Sequence, residues 1–341
     1  MCGIGLGVYI GLIRGTALQG ERRAMIGIIQ SARSAAAAGG GTFIQVDTAS
    51  GRLHLFGRTK VGVWHFEALN GTGSPGAFGH VAVVSGGDPK LAAGKIGKAL
   101  RFDGSYHVKC KMNRAGQWIE IPTYDARDGV ALEAWVMPLD AGAEAMAVVS
   151  RDGWFGLRLE YDETGKRFAL AATATTLDAD GAGYRGWSAT TAPVIRPNEW
   201  THVSMTCHKL SGGIALRING IEQDLEDSGS PAAPAPSSNE ETAIGAGADG
   251  GDAFHGLIDE VNISVYAADT VHRVTSKLKL EAEGLAAGNT IRFDSSGKLD
   301  AVHNGTTPKL MLKDYRGDEV TSSVVISIGA MGALDVTTSH K

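Results

Sequence analysis

The chain has 341 residues and a formal net charge of −5, with 32 basic and 37 acidic residues interspersed, so no basic stripe offers a footprint for DNA or RNA and nucleic acid is excluded as a partner. An apolar share of 43% is enough to fill real cores and excludes a disordered tail. Forty-seven glycines against 10 prolines, without a Gly-X-Y period, point to many tight turns between short strands.

The first apolar run, residues 2–13, is shorter than the roughly 20 residues a spanning helix needs. It has neither the basic flank nor the small-residue cleavage site of a signal peptide, and it reads as the tail end of something longer. From Thr16 to Ala38 the pattern is helical, with Leu18, Met25, Ile28, Ile29, Ala32 and Ala36 recurring at spacings of three and four or their sums. Glu21, Arg22, Arg23, Gln30 and Arg33 take most of the other side, and Gly39 to Gly41 end the helix. Phe43–Val46 and Leu53–Phe56 then predict two strands around an Asp-Thr-Ala-Ser-Gly turn.

Phe155–Tyr161 and Arg167–Thr173 flank a hairpin turn at residues 162–165. Residues 229–239 read as a Pro-rich surface loop. In Trp200–His208, Thr201, Val203, Met205 and Cys207 alternate with the other residues as a half-buried strand requires. Ile214, Leu216 and Ile218 continue the pattern, and Asn219-Gly220 supplies the two positive-φ positions of a type I′ hairpin. Toward the end, Leu278–Glu281, Thr290–Asp294, Leu310–Leu312, Val324–Ile328 and a return through Leu334 and Val336 predict further strands.

Few motifs carry chemistry. The three cysteines form no Cys-x-x-Cys pair, so a zinc ribbon or thioredoxin-like site is not supported; Cys110 and Cys207, both in predicted strands, are either bridged or two buried thiols. The ten histidines show no metal-protease spacing, and neither Gly-x-Ser-x-Gly nor a P-loop occurs. Exposed aromatics can stack on sugar rings, and Trp154, Tyr184 and Trp187 lie in loop-rich sequence where this is expected; Trp64, Trp135 and Trp200 fall on strands and are expected in the core.

Trp200-Thr201-His202-Val203 followed by Leu216-Arg217-Ile218-Asn219-Gly220 resembles the laminin-G-like modules of the concanavalin A-like lectin and glucanase superfamily. Val63–Glu67, Gly97–Gly104, Leu132–Val136 and Phe254–Val261 are similar to other strands of that family, in the order it requires. The resemblance implies a jelly-roll β-sandwich over residues 62–269. It further implies one Ca²⁺ held by loop oxygens, with Asp103 and Asp259 at the matching acidic positions. Glycosidases of the superfamily carry paired carboxylates on one strand; Glu160–Glu163 is the nearest approach, has the wrong spacing and reads as a solvated turn, so catalysis is not expected.

The apolar run continuing into the helix with Gln30–Ala35, then a strand ending in Asp47 and a Gly-turn hairpin, resembles the minor pseudopilins of type II secretion, whose peptidase site of Gly, Phe-Thr and Glu is missing here. The strand ending at Phe293-Asp294 with its Ser-Ser-Gly turn, and the last strand at Val324–Ile328, resemble the second half of that domain. The expectation is therefore a mainly β chain: residues 1–61 and 270–341 form a small α+β pilin-like domain with one long N-terminal helix, and residues 62–269 are a sandwich inserted in it. On this reading the chain is a non-enzymatic subunit of the cell envelope or extracellular space. Its sandwich binds carbohydrate or a surface protein, and other pilin-like subunits pack against the helix through Met25, Ile28 and Ile29. A membrane would be engaged only through a longer N-terminal helix. The alternative is a secreted protein that binds or cleaves carbohydrate.

Overall fold

The computed structural model describes all residues except 1–2, 40–41, 72, 115–116, 121–128, 140–143, 152–153, 178–183, 209–212, 226–240, 248, 287, 295, 305, 317 and 341. The protein is mainly β. In chain order the elements are α1 (Gly3–Gly39), β1 (Thr42–Asp47), β2 (Arg52–Trp64), β3 (Gly73–Pro75), β4 (His80–Gly86), β5 (Lys90–Ala93), β6 (Lys98–Asp103), β7 (Tyr106–Arg114) and β8 (Gln117–Glu120). They continue with β9 (Gly129–Pro138), β10 (Ala145–Arg151), β11 (Phe155–Asp162), β12 (Arg167–Leu177), β13 (Tyr184–Thr190), β14 (Thr201–His208), β15 (Gly213–Ile218), β16 (Ile221–Glu222) and β17 (Thr242–Ile244). The last are β18 (His255–Arg273), β19 (Lys279–Glu283), β20 (Thr290–Phe293), the one-turn α2 (Ala301–Asn304), β21 (Lys309–Arg316), β22 (Glu319–Ile328) and β23 (Leu334–His340). The chain divides into two compact units, one of Met1–Arg58 with Ala267–Lys341 and one of Thr59–Tyr266.

In the first unit the apolar stripe of α1 is buried from Leu18 to Ala36: Leu18, Met25, Ile29, Ala32 and Ala36 lie in one core with Ile44 and Val46 of β1, Leu280 of β19, and Leu310, Leu312, Val324 and Ile326 of β21 and β22. β1 pairs antiparallel with β2 and β20, and a second antiparallel sheet runs β19-β21-β22-β23. Polar contacts fix the helix: the Thr42 hydroxyl donates to the Ala32 carbonyl at 2.6 Å, Arg33 Nε donates to the Gly297 carbonyl at 3.1 Å, and the Glu21 carboxylate meets His272 Nε2 at 2.7 Å and accepts the Thr275 N–H at 3.0 Å. Gly332, at φ 74°, passes so close to Arg33 that a Cβ there would lie 2.4 Å from Nε. The expectation that Met25, Ile28 and Ile29 form an assembly surface is corrected by this packing. They are 0, 9 and 0% exposed, because the sheets of the same unit already cover the stripe.

The second unit is a sandwich of two antiparallel sheets, with strand orders β16-β15-β14-β9-β18-β6-β5 and β13-β12-β11-β10-β17-β7-β4-β3, and with β8 added on β7. Inward positions of both sheets, among them Leu132, Val136, Val203 and Met205 on one and Val108, Leu157, Leu170 and Ile244 on the other, fill one core together with Trp64 and Phe102. Asn219 and Gly220 adopt φ 52° and 80°, as the I′ turn between β15 and β16 demands. Asp162 caps the β11–β12 turn by accepting the N–H groups of Thr164 and Gly165. Cys110 and Cys207 are buried on opposite sheets and are not bridged; burial pushes the Cys207 thiol up to about 12.

Glu160 lies in β11, within the predicted Phe155–Tyr161 strand, and its carboxylate takes Arg158 Nη2 at 2.6 Å. A further expectation is corrected. Trp135 and Trp200 are half-buried instead of core; Trp135 sits on the outward face of β9, under the Lys95 ammonium at 4.5 Å and edge-on to His202.

Candidate functional site

The functional candidate is built by strand register. On the outward face of the second sheet, Ser150 of β10 faces Gly156 of β11, Gly156 faces Thr173 of β12, and Thr173 faces Ser188 of β13. Strands are spaced by about 4.8 Å, so this row runs about 14 Å across four strands. Thr175 faces Gly186 in the next outward row. The sequence alternates here because Phe155, Leu157, Ala172 and Ala174 point into the core, and the alternate positions left outside are small except for Arg158 at one side. With no bulky side chain on its floor, the face opens as a depression of about 460 Å³.

Its walls are polar. Arg151 and Arg158 line it, as do Asp249 and Asp252 of the glycine-rich loop that follows β17. That loop is shaped by its own hydrogen bonds: Gly247 N–H donates to the Gly251 carbonyl at 2.7 Å, and Gly251 N–H donates to the Asp249 carboxylate at 2.9 Å. Ala147 N–H of β10 donates to the Asp252 carbonyl at 2.7 Å, tying the loop to the sheet. Asp252 itself is held at φ 49°. Arg151 is 2% exposed; its Nη1 donates to the Thr242 hydroxyl, and its guanidinium lies 5.3 Å from the centre of the Trp154 ring. Hydroxyls, backbone edges, guanidinium groups and carboxylates together can exchange many hydrogen bonds with a polyhydroxylated ligand.

The residues expected from sequence fare differently. Trp154 lines the depression but is 6% exposed, packed on Phe155 at 5.7 Å and against Arg151, so it is a wall residue and not an open stacking platform. The backbones of Tyr184 and Trp187 pair with Leu177 and Ala174, and their side chains lie outside the described residues. Residues 178–183 and 229–239 lie outside them too.

Asp103 and Asp259 do not meet. Asp103 faces His255 across β6 and β18, and Asp259 lies four residues further along β18, about 13 Å at strand rise. Asp103 accepts the hydroxyl and N–H of Ser105, and these hydrogen bonds hold its carboxyl below the usual range. Asp259 is fully buried, which pushes its carboxyl up, and it accepts the N–H groups of Ile96 and Glu260. It straps the loop before β6, where a Cβ on Gly94 would lie 2.8 Å from its oxygen. The pair therefore does not fit one calcium ion, and no cluster of three or more His, Cys, Asp or Glu side chains suited to a metal occurs among the described residues.

The row of small residues was not singled out in the sequence. The only signal was the run of small residues at 171–176, whose meaning depends on strands that precede and follow it.

Among solved structures, the chain is similar to domain 4 of AbnA, a GH43 extracellular arabinanase from Geobacillus stearothermophilus, in complex with arabinotriose; the TM-score is 0.38 at 19% identity, covering 61% of this chain and 93% of that one. The endo-β-1,4-glucuronan lyase of Trichoderma reesei gives a TM-score of 0.38 at 12% identity, covering 61% and 96%. The Ruminococcus gnavus IT-sialidase CBM40 bound to α2,3 sialyllactose gives 0.32 at 12% identity, covering 40% and 76%. None of the curated proteins matches the chain. Residues 113–270, which supply most of the strands of both sheets, match the family model described as the Concanavalin A-like lectin/glucanases superfamily, and the sandwich carries a module of that type.

Proposed function

We propose that this chain is a non-enzymatic, exported subunit in which a pilin-like unit displays a lectin-like sandwich that binds glycan. The observation that carries the binding part is the Ser150–Gly156–Thr173–Ser188 row with its depression of about 460 Å³. An open floor of small polar side chains suits a ligand that lies flat across the strands and bonds through hydroxyls. Cleavage of a glycosidic bond calls for two cooperating carboxylates flanking it. Here Glu160 is neutralised by Arg158, and Asp249 already accepts a backbone N–H within its own loop, which supports binding without cleavage.

The pilin-like part rests on a long helix whose apolar stripe is seated on antiparallel strands drawn from both ends of the chain. With Met25, Ile28 and Ile29 enclosed, the outward face of α1 presents Thr16, Gln19, Gly20, Arg23, Gly27, Gln30, Ser31, Ser34 and Ala35, a polar face open to a neighbouring subunit.

The test is titration of the intact chain with neutral and acidic oligosaccharides by calorimetry, repeated on Ser188→Arg, an exposed position where a long side chain enters the row without touching the core. The expected result is saturable binding that weakens at least about tenfold in the variant with little change in thermal midpoint, roughly 1.4 kcal/mol of affinity. Absence of binding across the panel, or equal binding by both proteins, sinks the reading.

A further inference from the structure

At the other end of the same sheet, β3 is an edge strand of three residues that pairs with β4 and, through Gly73 alone, with Asn70. Ser74 of β3 faces Ala82 of β4, and His80 lies two residues from Ala82 on the same inward side. Ser74 and His80 are 0 and 4% exposed, and the His80 ring stacks on the fully buried indole of Trp64 with centroids 5.9 Å apart. Three buried polar atoms, Ser74 Oγ, His80 Nδ1 and Trp64 Nε1, have no hydrogen-bond partner among the described residues. Each is a burial penalty that contact with water would remove.

The turn joining the strands is strained as well. Phe78 is held at φ 60° and ψ 21°, a conformation a bulky aromatic rarely adopts, with its ring 61% exposed and edge-on to His80 at 6.0 Å. Gly76 passes so close to the indole that a Cβ would lie 2.7 Å from Nε1, so the hairpin rests on Trp64 through bare backbone. A short edge strand, unmet polar groups and a strained turn coincide at the β3 end of this hairpin, while β4 is paired with β7 from His80 to Gly86, so opening is favoured from the β3 side.

We propose that the β3–β4 hairpin is a flap that opens from Trp64 on acidification, with protonation of His80 as the trigger. β3, its turn and β4 carry no other titratable side chain. On β7 the residue facing His80 is Met112, and the adjacent Lys111 is engaged by Glu241. Beside Trp64, the His65 ring is held by Glu260. Burial alone holds the His80 pKa below its ordinary value. The sign follows: the closed state takes a proton less readily than the open one, so opening is pH-independent well above the ordinary histidine value of about 6.5. Below it, opening rises by up to about tenfold per pH unit until the closed state also protonates.

Amide hydrogen exchange of the intact chain tests this, with rates corrected for the intrinsic effect of pH and a segment spanning Phe155–Thr175 as internal reference. Exchange of residues 73–84 relative to the reference should rise up to about fivefold between pH 6.5 and 5.5. In His80→Phe, which keeps the ring stack and removes the proton site, the rise should disappear. A constant ratio over this range, or the same acid rise in the variant, overturns the proposal. Should the variant not fold, the His80 ring resonance of the native chain decides: titration with an ordinary pKa while residues 73–84 stay protected is equally fatal.

Discussion

The two ends of the nine-strand sheet in the sandwich solve the same problem with opposite results. At the β10–β13 end the strands are long, their inward residues are apolar, and most outward residues are small, so β10, β11 and β12 are paired on both sides and the surface is left open. At the β3–β4 end a three-residue strand turns a serine and a histidine inward, where nothing among the described residues answers their polar atoms. Rigidity at the first end holds a row of hydroxyls in fixed register, which is what a binding face needs. Deficit at the second leaves a segment whose closed state is only weakly preferred.

The largest expected effect breaks the rigid end. Leu157 is fully buried in the middle of β11, between the outward residues Gly156 and Arg158. Leu157→Ala should cost about 2–5 kcal/mol of unfolding free energy, measured by urea titration, since the core there relaxes poorly around a lost side chain. Oligosaccharide binding should fall with it, because the register of the row depends on that strand. A loss under 1 kcal/mol would mean that the β10–β13 end is not the stiff part of the sandwich.

How far these features were legible in the sequence depended on whether one strand or several were needed to see them. The alternation of Val203 and Met205, the I′ turn at Asn219-Gly220 and the stripe of Leu18, Met25 and Ile29 are local patterns, and each appears in the structure where the pattern put it. The Phe43–Val46 and Leu53–Phe56 strands are also present, but the second runs on unbroken to Trp64, merging what read as two strands into β2. The hydroxyl row was illegible because Ser150, Gly156, Thr173 and Ser188 carry no distinctive chemistry one by one, and only pairing among four strands aligns them. Trp154 misled because the loop-like residues before it suggested exposure, whereas it packs on Phe155 at the start of β11. Asp103 and Asp259 were expected to share an ion because the family resemblance placed acidic positions there; each accepts nearby backbone N–H groups, a role that needs the folded loops to be seen.

The smallest expected effect compares the two ends with one matched substitution. Ser150 and Ser74 are both strand serines of this sheet, but the Ser150 hydroxyl donates to the Ala246 carbonyl at 2.9 Å while that of Ser74 is buried without a partner. Ser150→Ala should therefore cost about 0.5–1.5 kcal/mol, the net worth of an ordinary hydrogen bond. Ser74→Ala removes a polar group that gains nothing from being buried, so it should be neutral or stabilise by up to about 1 kcal/mol. Exchange of the β3–β4 amides should slow in step with any gain, because the closed hairpin loses one of its penalties. Equal costs for the two substitutions would show that the Ser74 hydroxyl finds a partner, such as an internal water, and would make the hairpin as well satisfied as the face at the other end of the sheet.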